Sequence, residues 1–309
     1  MLFVVPGPEA PISGGNRYND ALIGALRASR VEAAALNRDV LARVPGPLWV
    51  DSLYLTSLTE IRALAGARPL GLLAHSLPSQ LARAAGEPEP ALEERERAWL
   101  AMVERAVAPS DTMRGWLIER APSLKVRVVE PGVIGAPDAR REGPLRALMI
   151  ANLLPNKGVL PFLEALAARL RPSDVFTLRI IGRADLASTY AARCRALAEP
   201  RIVFAGGLPF ETLLRELARS HVLVSASRSE SYGMALADAR ACGCVVLARD
   251  GGHAAALADV VDDDDALADA LLSLVRDERA LAHRLAHAQR TRLPPRGWEE
   301  VAHEFLRAW

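Results

Sequence analysis

Short runs of consecutive apolar residues recur along the chain, each followed by a longer stretch with helical spacing. The first series is LFVV (2–5), PLWVDSL (47–53), PLGLLAH (69–75), RAVAPS (105–110) and VRVVEPG (126–132). A second series follows with LRALMIAN (145–152), FTLRIIG (176–182), RIVFAG (201–206), HVLVSAS (221–227) and CVVLARD (244–250). Strands with one wet face alternate apolar and polar, whereas strands covered by helices on both faces are apolar at successive positions. The runs therefore predict parallel strands. Helical patterns such as LPFLEALAARL (160–170) and PFETLLRELARS (209–220) separate them. Two successive sets of alternating strand and helix predict two doubly wound α/β units. The segment GAPDARREGP (135–144), rich in Pro, Gly and charge, is the linker candidate. It sets a first domain over 1–140 and a second over 141–309.

After the last strand the pattern is helical to the end. Trp298, Phe305 and Trp309 fit an amphipathic helix on the second domain, or a tail that crosses back to the first. The chain of 309 residues is half hydrophobic, enough for two cores. Lys plus Arg is 38 against 37 Asp plus Glu, a balance that argues against a nucleic-acid partner. Only Lys125 and Lys157 are lysine, so the basic residues are otherwise all arginine and each lysine carries more information. Cys194, Cys242 and Cys244 lack the paired spacing of a metal site, so no metal is expected and reduced thiols are. The opening MLFVVPGP is too short and too broken for a membrane helix. A cytoplasmic protein is expected, or one peripheral at the inner membrane face.

In open α/β sheets ligands bind beyond the carboxyl ends of the strands. Four segments there carry candidate chemistry. Gly14 and Gly15 follow the first strand and precede a helix expected near Asn19. They suit backbone donors approaching an anion, and a tight turn explains them equally well. The spacing is not the G-x-G-x-x-G of dinucleotide enzymes. ANLLPNKG (151–158) places Lys157 at a helix start, a poor position for a cation unless an anion shares it. SRSESYGMALAD (227–238) places Glu230 before a helix, Ser231, Tyr232 and Gly233 at its mouth, and Asp238 two turns inside. Such a pair of acids suits the two ends of one extended polar ligand, or else a first-turn acid and a solvent-facing helix residue. His75 ends an apolar strand, as a structural or a ligand-contacting side chain.

With these residues in view, the chain resembles the retaining family 4 glycosyltransferases. The likeness runs from the Gly-Gly loop through VVEPGV and NKGVLPFLEAL to LVSASRSESYGMALADARACGCVVLARDGG. It implies the GT-B fold, two Rossmann-like parallel-sheet domains facing a central cleft. It implies that Glu230, Ser231, Tyr232 and Gly233 bind the donor sugar, that Asp238 holds the ribose, and that Lys157 neutralises the diphosphate. Asn152 stands where relatives carry an arginine, with Arg183 or Arg228 as candidate replacements. Asp238 stands in place of a glutamate, and the loop DGGHAAAL lacks an acid that relatives have near His253.

The expected function is metal-independent, retaining transfer of a sugar from a nucleotide diphosphate sugar to an acceptor hydroxyl. No cofactor is needed beyond that co-substrate. Lys157, Glu230 and His75 are the catalytic candidates, with Gly14, Gly15, Asn152, Arg183, Ser231, Tyr232, Gly233 and Asp238 binding the donor. The acceptor is a small molecule or a lipid-linked one. Alternatives are a catalytically weakened nucleotide-sugar-binding or partner protein and a sugar-nucleotide epimerase of the same fold.

Overall fold

The computed structural model of the protein describes residues 1–7, 13–27, 32–34, 45–135 and 141–307. Trp309 and half of the expected linker, residues 136–140 with the boundary at 140, lie outside the described residues. The chain forms two compact units. One comprises Met1–Arg83, Glu87–Gly132 and Arg296–Trp309, the other Val133–Pro295 with Ala84–Gly86.

The first unit is built on β1 (Leu2–Val4), β2 (Glu32–Ala34), β3 (Leu48–Asp51), β4 (Leu70–Leu73), β5 (Arg105–Ala108) and β6 (Lys125–Val128). The strands pair in parallel in the order β2-β1-β3-β4-β5-β6. Its helices are α1 (Gly14–Leu26), α2 (Leu58–Ala65), α3 (Pro78–Ala85), α4 (Pro90–Leu100) and α5 (Asp111–Arg120). The expected strands all form. The short β2 is additional to them, with no apolar run to predict it.

The second unit carries β7 (Leu145–Ile150), α6 (Val159–Ala167), β8 (Phe176–Ile181), α7 (Ser188–Ala196), β9 (Ile202–Gly206), α8 (Phe210–Arg219) and β10 (Val222–Ser225). It continues with α9 (Met234–Ala241), β11 (Val245–Arg249), β12 (Asp259–Val261), α10 (Asp264–Arg276) and α11 (Glu278–Arg290). Its sheet is parallel in the order β12-β11-β10-β7-β8-β9. Chain order thus reverses at β1/β3 in the first sheet and at β7/β10 in the second. At such switch points neighbouring loops diverge and leave a crevice.

The final helix α12 (Trp298–Leu306) packs in the first unit, the crossing-back reading of the tail. Phe305 is fully buried, its ring 5.5 Å from Phe3 and 4.6 Å from Trp49, and Trp298 stands edge-on to Tyr18 at 5.4 Å. No helix among the described residues is long and apolar enough to cross a membrane.

Candidate functional site

In the second unit, β7 ends and the chain makes a short 3-10 turn, Pro155–Lys157, before Gly158 opens α6. Gly158 has φ 64°, and a Cβ there would stand 2.2 Å from the Ala226 carbonyl oxygen beyond β10. Only glycine fits so close an approach. The two switch-point loops are further tied by Arg228 N–H donating to the Asn156 carbonyl at 3.1 Å. This geometry carries the Lys157 side chain across, so that Nζ donates to Glu230 Oε1 at 2.9 Å and to Ser227 Oγ at 3.3 Å. Lys157 and Glu230 thus share one surface although the chain separates them widely.

Their contact also answers an expectation. The cation at the helix start was expected to call for an external anion, and the protein supplies one in Glu230. Any diphosphate that reaches Lys157 therefore competes with a carboxylate already there.

Glu230 is held from behind. Its N–H donates to the Gly251 carbonyl at 3.3 Å, and its own carbonyl accepts from His253 N–H at 2.7 Å. The Tyr232 and His253 rings stack at 5.4 Å. Gly233, at φ 90°, then turns the chain into α9. Ser231 is half-buried, while Tyr232 is 6% and Asp238 1% exposed. The alternative of Asp238 as a solvent-facing helix residue is therefore overturned, because α9 turns that side inward.

Asn152 and Arg183 adjoin each other beyond β7 and β8. Asn152 Oδ1 accepts from Arg183 N–H at 2.9 Å, and the Arg183 guanidinium pairs with Asp185. That pairing holds the Asp185 carboxyl down to about 2. Arg183 is thus already engaged by an acid of its own loop, and Arg228 lies within electrostatic reach of Tyr190 and Asp264.

In the first unit, α1 starts earlier than expected. Ser13 caps it, Oγ accepting from Asn16 N–H at 3.1 Å, so Gly14 and Gly15 form its first turn instead of a loop before Asn19. Gly15 lies directly against the His75 ring, where an added Cβ would stand 3.0 Å from Cγ. His75 Nε2 is 2.8 Å from Asn19 Oδ1, and Asn19 Nδ2 donates to Asp51. Burial pushes the His75 pKa below its ordinary value, and the charge of Asp51 acts in the opposite sense. Sequence reading missed Asn19, Asp51 and the role of the 251–253 loop. The one available signal was that Asp51 closes an apolar strand.

Among the described residues no group of three or more His, Cys, Asp or Glu side chains is placed to hold a metal.

Residues 144–286 match the family model described as glycosyl transferases group 1. No curated protein sequence matches the chain. The fold is shared with solved structures at low identity. Sucrose-phosphate synthase from Thermosynechococcus elongatus is 18% identical, covering 99% of this chain and 96% of its own, with a TM-score of 0.75. Anabaena HepE in complex with UDP and glucose is 14% identical over 99% and 98% of the two chains, with a TM-score of 0.77. A glycosyltransferase from Rickettsia africae is 16% identical over 99% and 96%, with a TM-score of 0.70. The chain has the two Rossmann-like parallel-sheet units of GT-B glycosyltransferases.

Proposed function

We propose that this protein is a retaining, metal-independent glycosyltransferase that uses a nucleotide diphosphate sugar. One observation carries the reading: Lys157 and Glu230 meet at 2.9 Å beside the switch point of the second sheet, inside the segment that matches the glycosyl transferases group 1 model. As a glycosidic bond to a diphosphate breaks, negative charge grows on the leaving oxygen. A fixed ammonium stabilises that state more than the ground state. Lys157 fills this role. Glu230, with the backbone at Ser231, Tyr232 and Gly233, takes the sugar hydroxyls. Asp238 takes the ribose, which requires the side chains that cover it to turn aside. His75, Gly14 and Gly15 are the candidate residues of the first unit. The structure of HepE with UDP-glucose makes a uridine nucleotide the first donor to try. The acceptor is a small-molecule or lipid-linked hydroxyl compound, and the protein is cytoplasmic or peripheral at the inner membrane face.

The test is a thermal-shift and product screen across nucleoside diphosphates and their sugars. A transferase shows a stabilising nucleotide together with release of the diphosphate and an anomer-retained product. If no nucleotide raised the melting temperature at millimolar concentration, the reading would fail. A second reading is a donor-binding protein with weak or no turnover. It is favoured by Asn152 in place of a cation and by the engagement of Arg183 with Asp185. In that case the same screen gives stabilisation without product.

A further inference from the structure

Asp51 at the end of β3, Asn19 in the second turn of α1 and His75 beyond β4 form a buried chain of hydrogen bonds in the first unit. Asp51 is 0% and Asn19 1% exposed. Both Asp51 oxygens are committed: Oδ1 accepts from Leu53 N–H at 2.7 Å, and Oδ2 accepts from Asn19 Nδ2. A carboxylate only accepts, so the Asn19 amide must face it with its NH2 group. That leaves the Asn19 carbonyl toward His75 Nε2, 2.8 Å away. A carbonyl also only accepts, so Nε2 carries the hydrogen and Nδ1 carries the lone pair, an assignment made from the network.

Sterics set the ring's orientation. A Cβ on Gly15 would stand 3.0 Å from His75 Cγ and 3.1 Å from Cδ2, so the Cδ2–Nε2 edge lies against α1. The Nδ1 edge points the other way, and no described residue hydrogen-bonds to it. The backbone is fixed as well, with the N–H groups of His75 and Ser76 both donating to Ser52 Oγ. The Tyr18 ring meets the imidazole edge-on at 5.1 Å.

We infer that Asp51 and Asn19 are positioning residues whose relay sets the tautomer of His75, presenting Nδ1 as a hydrogen-bond acceptor for a substrate hydroxyl. This rests on the glycosyltransferase reading for the identity of the substrate. The relay itself does not. Burial, which disfavours imidazolium, acts in the same direction by keeping the ring neutral.

Asp51→Asn inverts the chain. The amide that replaces the carboxylate can still accept from Leu53 N–H through its carbonyl, but it then offers NH2 to Asn19. Asn19 must turn over and donate to Nε2, which drives the hydrogen to Nδ1 and converts an acceptor into a donor. The exchange Asp51→Asn with Asn19→Asp restores the original polarity, because the carboxylate moved onto α1 accepts from both neighbours.

The experiment combines three readouts on the full chain: histidine tautomers by long-range nitrogen–proton NMR, thermal shift with UDP, and turnover of the donor found in the screen. The expected result is a hydrogen on Nε2 in the wild type and on Nδ1 in D51N. D51N should show an unchanged UDP shift and at least about tenfold lower kcat, and the double exchange should recover the wild-type tautomer and much of kcat. A merely structural role would move the melting temperature without moving the tautomer. A wild-type hydrogen on Nδ1, or a folded D51N with wild-type tautomer or kcat, would overturn the inference. Should D51N not fold, Asn19→Leu serves instead: a mixed His75 tautomer and reduced kcat support the relay, and neither change refutes it. If the wild type turns over no donor, the glycosyltransferase reading fails while the tautomer measurements still judge the relay.

Discussion

Replacing Glu230 with glutamine separates two jobs that the geometry assigns to one carboxylate. The pair with Lys157 spans 2.9 Å, with the lysine side chain 29% and the glutamate 18% exposed. Coulomb attraction at that distance is about 1.4 kcal/mol in water and about 6 kcal/mol at an effective dielectric of 20. Desolvation and side-chain ordering reduce the net worth of partly exposed pairs to about 1 kcal/mol. Removing the carboxylate therefore frees Lys157 for a diphosphate, and UDP should bind about threefold to fivefold more tightly to E230Q. The sugar loses a charged acceptor worth about 1.5–3 kcal/mol, so turnover should fall about tenfold to a hundredfold. Lys157→Ala should weaken UDP by a similar factor, and the double variant should match K157A within about twofold, because no cation remains to be freed. Calorimetric titration of UDP into the four proteins measures this cycle. If E230Q weakened UDP as much as K157A did, or if K157A left the affinity unchanged, the competition between Glu230 and diphosphate would be wrong.

Other expectations follow from single contacts. Gly158→Ala puts a methyl 2.2 Å from the Ala226 carbonyl at a positive φ, and should cost at least about 2 kcal/mol in chemical denaturation while weakening UDP. Phe305→Ala empties a fully buried site between Phe3 and Trp49, and should cost about 3–5 kcal/mol in the first unit. His75 and His221 are both held below their ordinary pKa by burial, so the unfolded chain takes up protons near pH 6.5 that the folded chain refuses. Stability should therefore fall as pH drops from about 7 to about 5.5, by at most about 1.4 kcal/mol per pH unit for each histidine. Melting curves of His75→Gln should show a shallower dependence. Asp174 accepts from both Arg276 Nε and Nη2, which hold its carboxyl down to about 2. Its contribution is present above about pH 4 and lost toward about pH 2, so D174N should lower the melting temperature at neutral pH and lose that difference in acid.

Much of the strand ladder was legible because covered parallel strands such as β1, β3, β4, β10 and β11 leave short apolar runs bounded by turn residues, whereas β6 and β9 are partly exposed and leave a weaker pattern. β2 and β12 were not, since three-residue edge strands need only backbone pairing and carry no hydrophobic signature. Lys157 and Glu230 could be nominated from their loops and from family resemblance, but their direct contact was invisible because it depends on how closely Gly158 lets the chain approach Ala226. The relay was less legible still. Asn19, Asp51 and His75 are ordinary residues at unrelated spacings, and only the switch point of the first sheet brings them into one line. The early start of α1 was readable in principle, since Ser13 is a strong cap, but the two glycines argued locally for a loop.

The seating of Phe305 on Phe3 and Trp49 has a consequence for biosynthesis. The second unit is nearly one continuous stretch and has all its core residues as soon as that stretch emerges from the ribosome. The first unit begins earlier yet closes later: Phe3 and Trp49, paired in register on β1 and β3, lack the Phe305 ring until α12 has been translated. During that interval the place that Phe305 fills against Phe3 and Trp49 stands open, so the first unit completes its packing last.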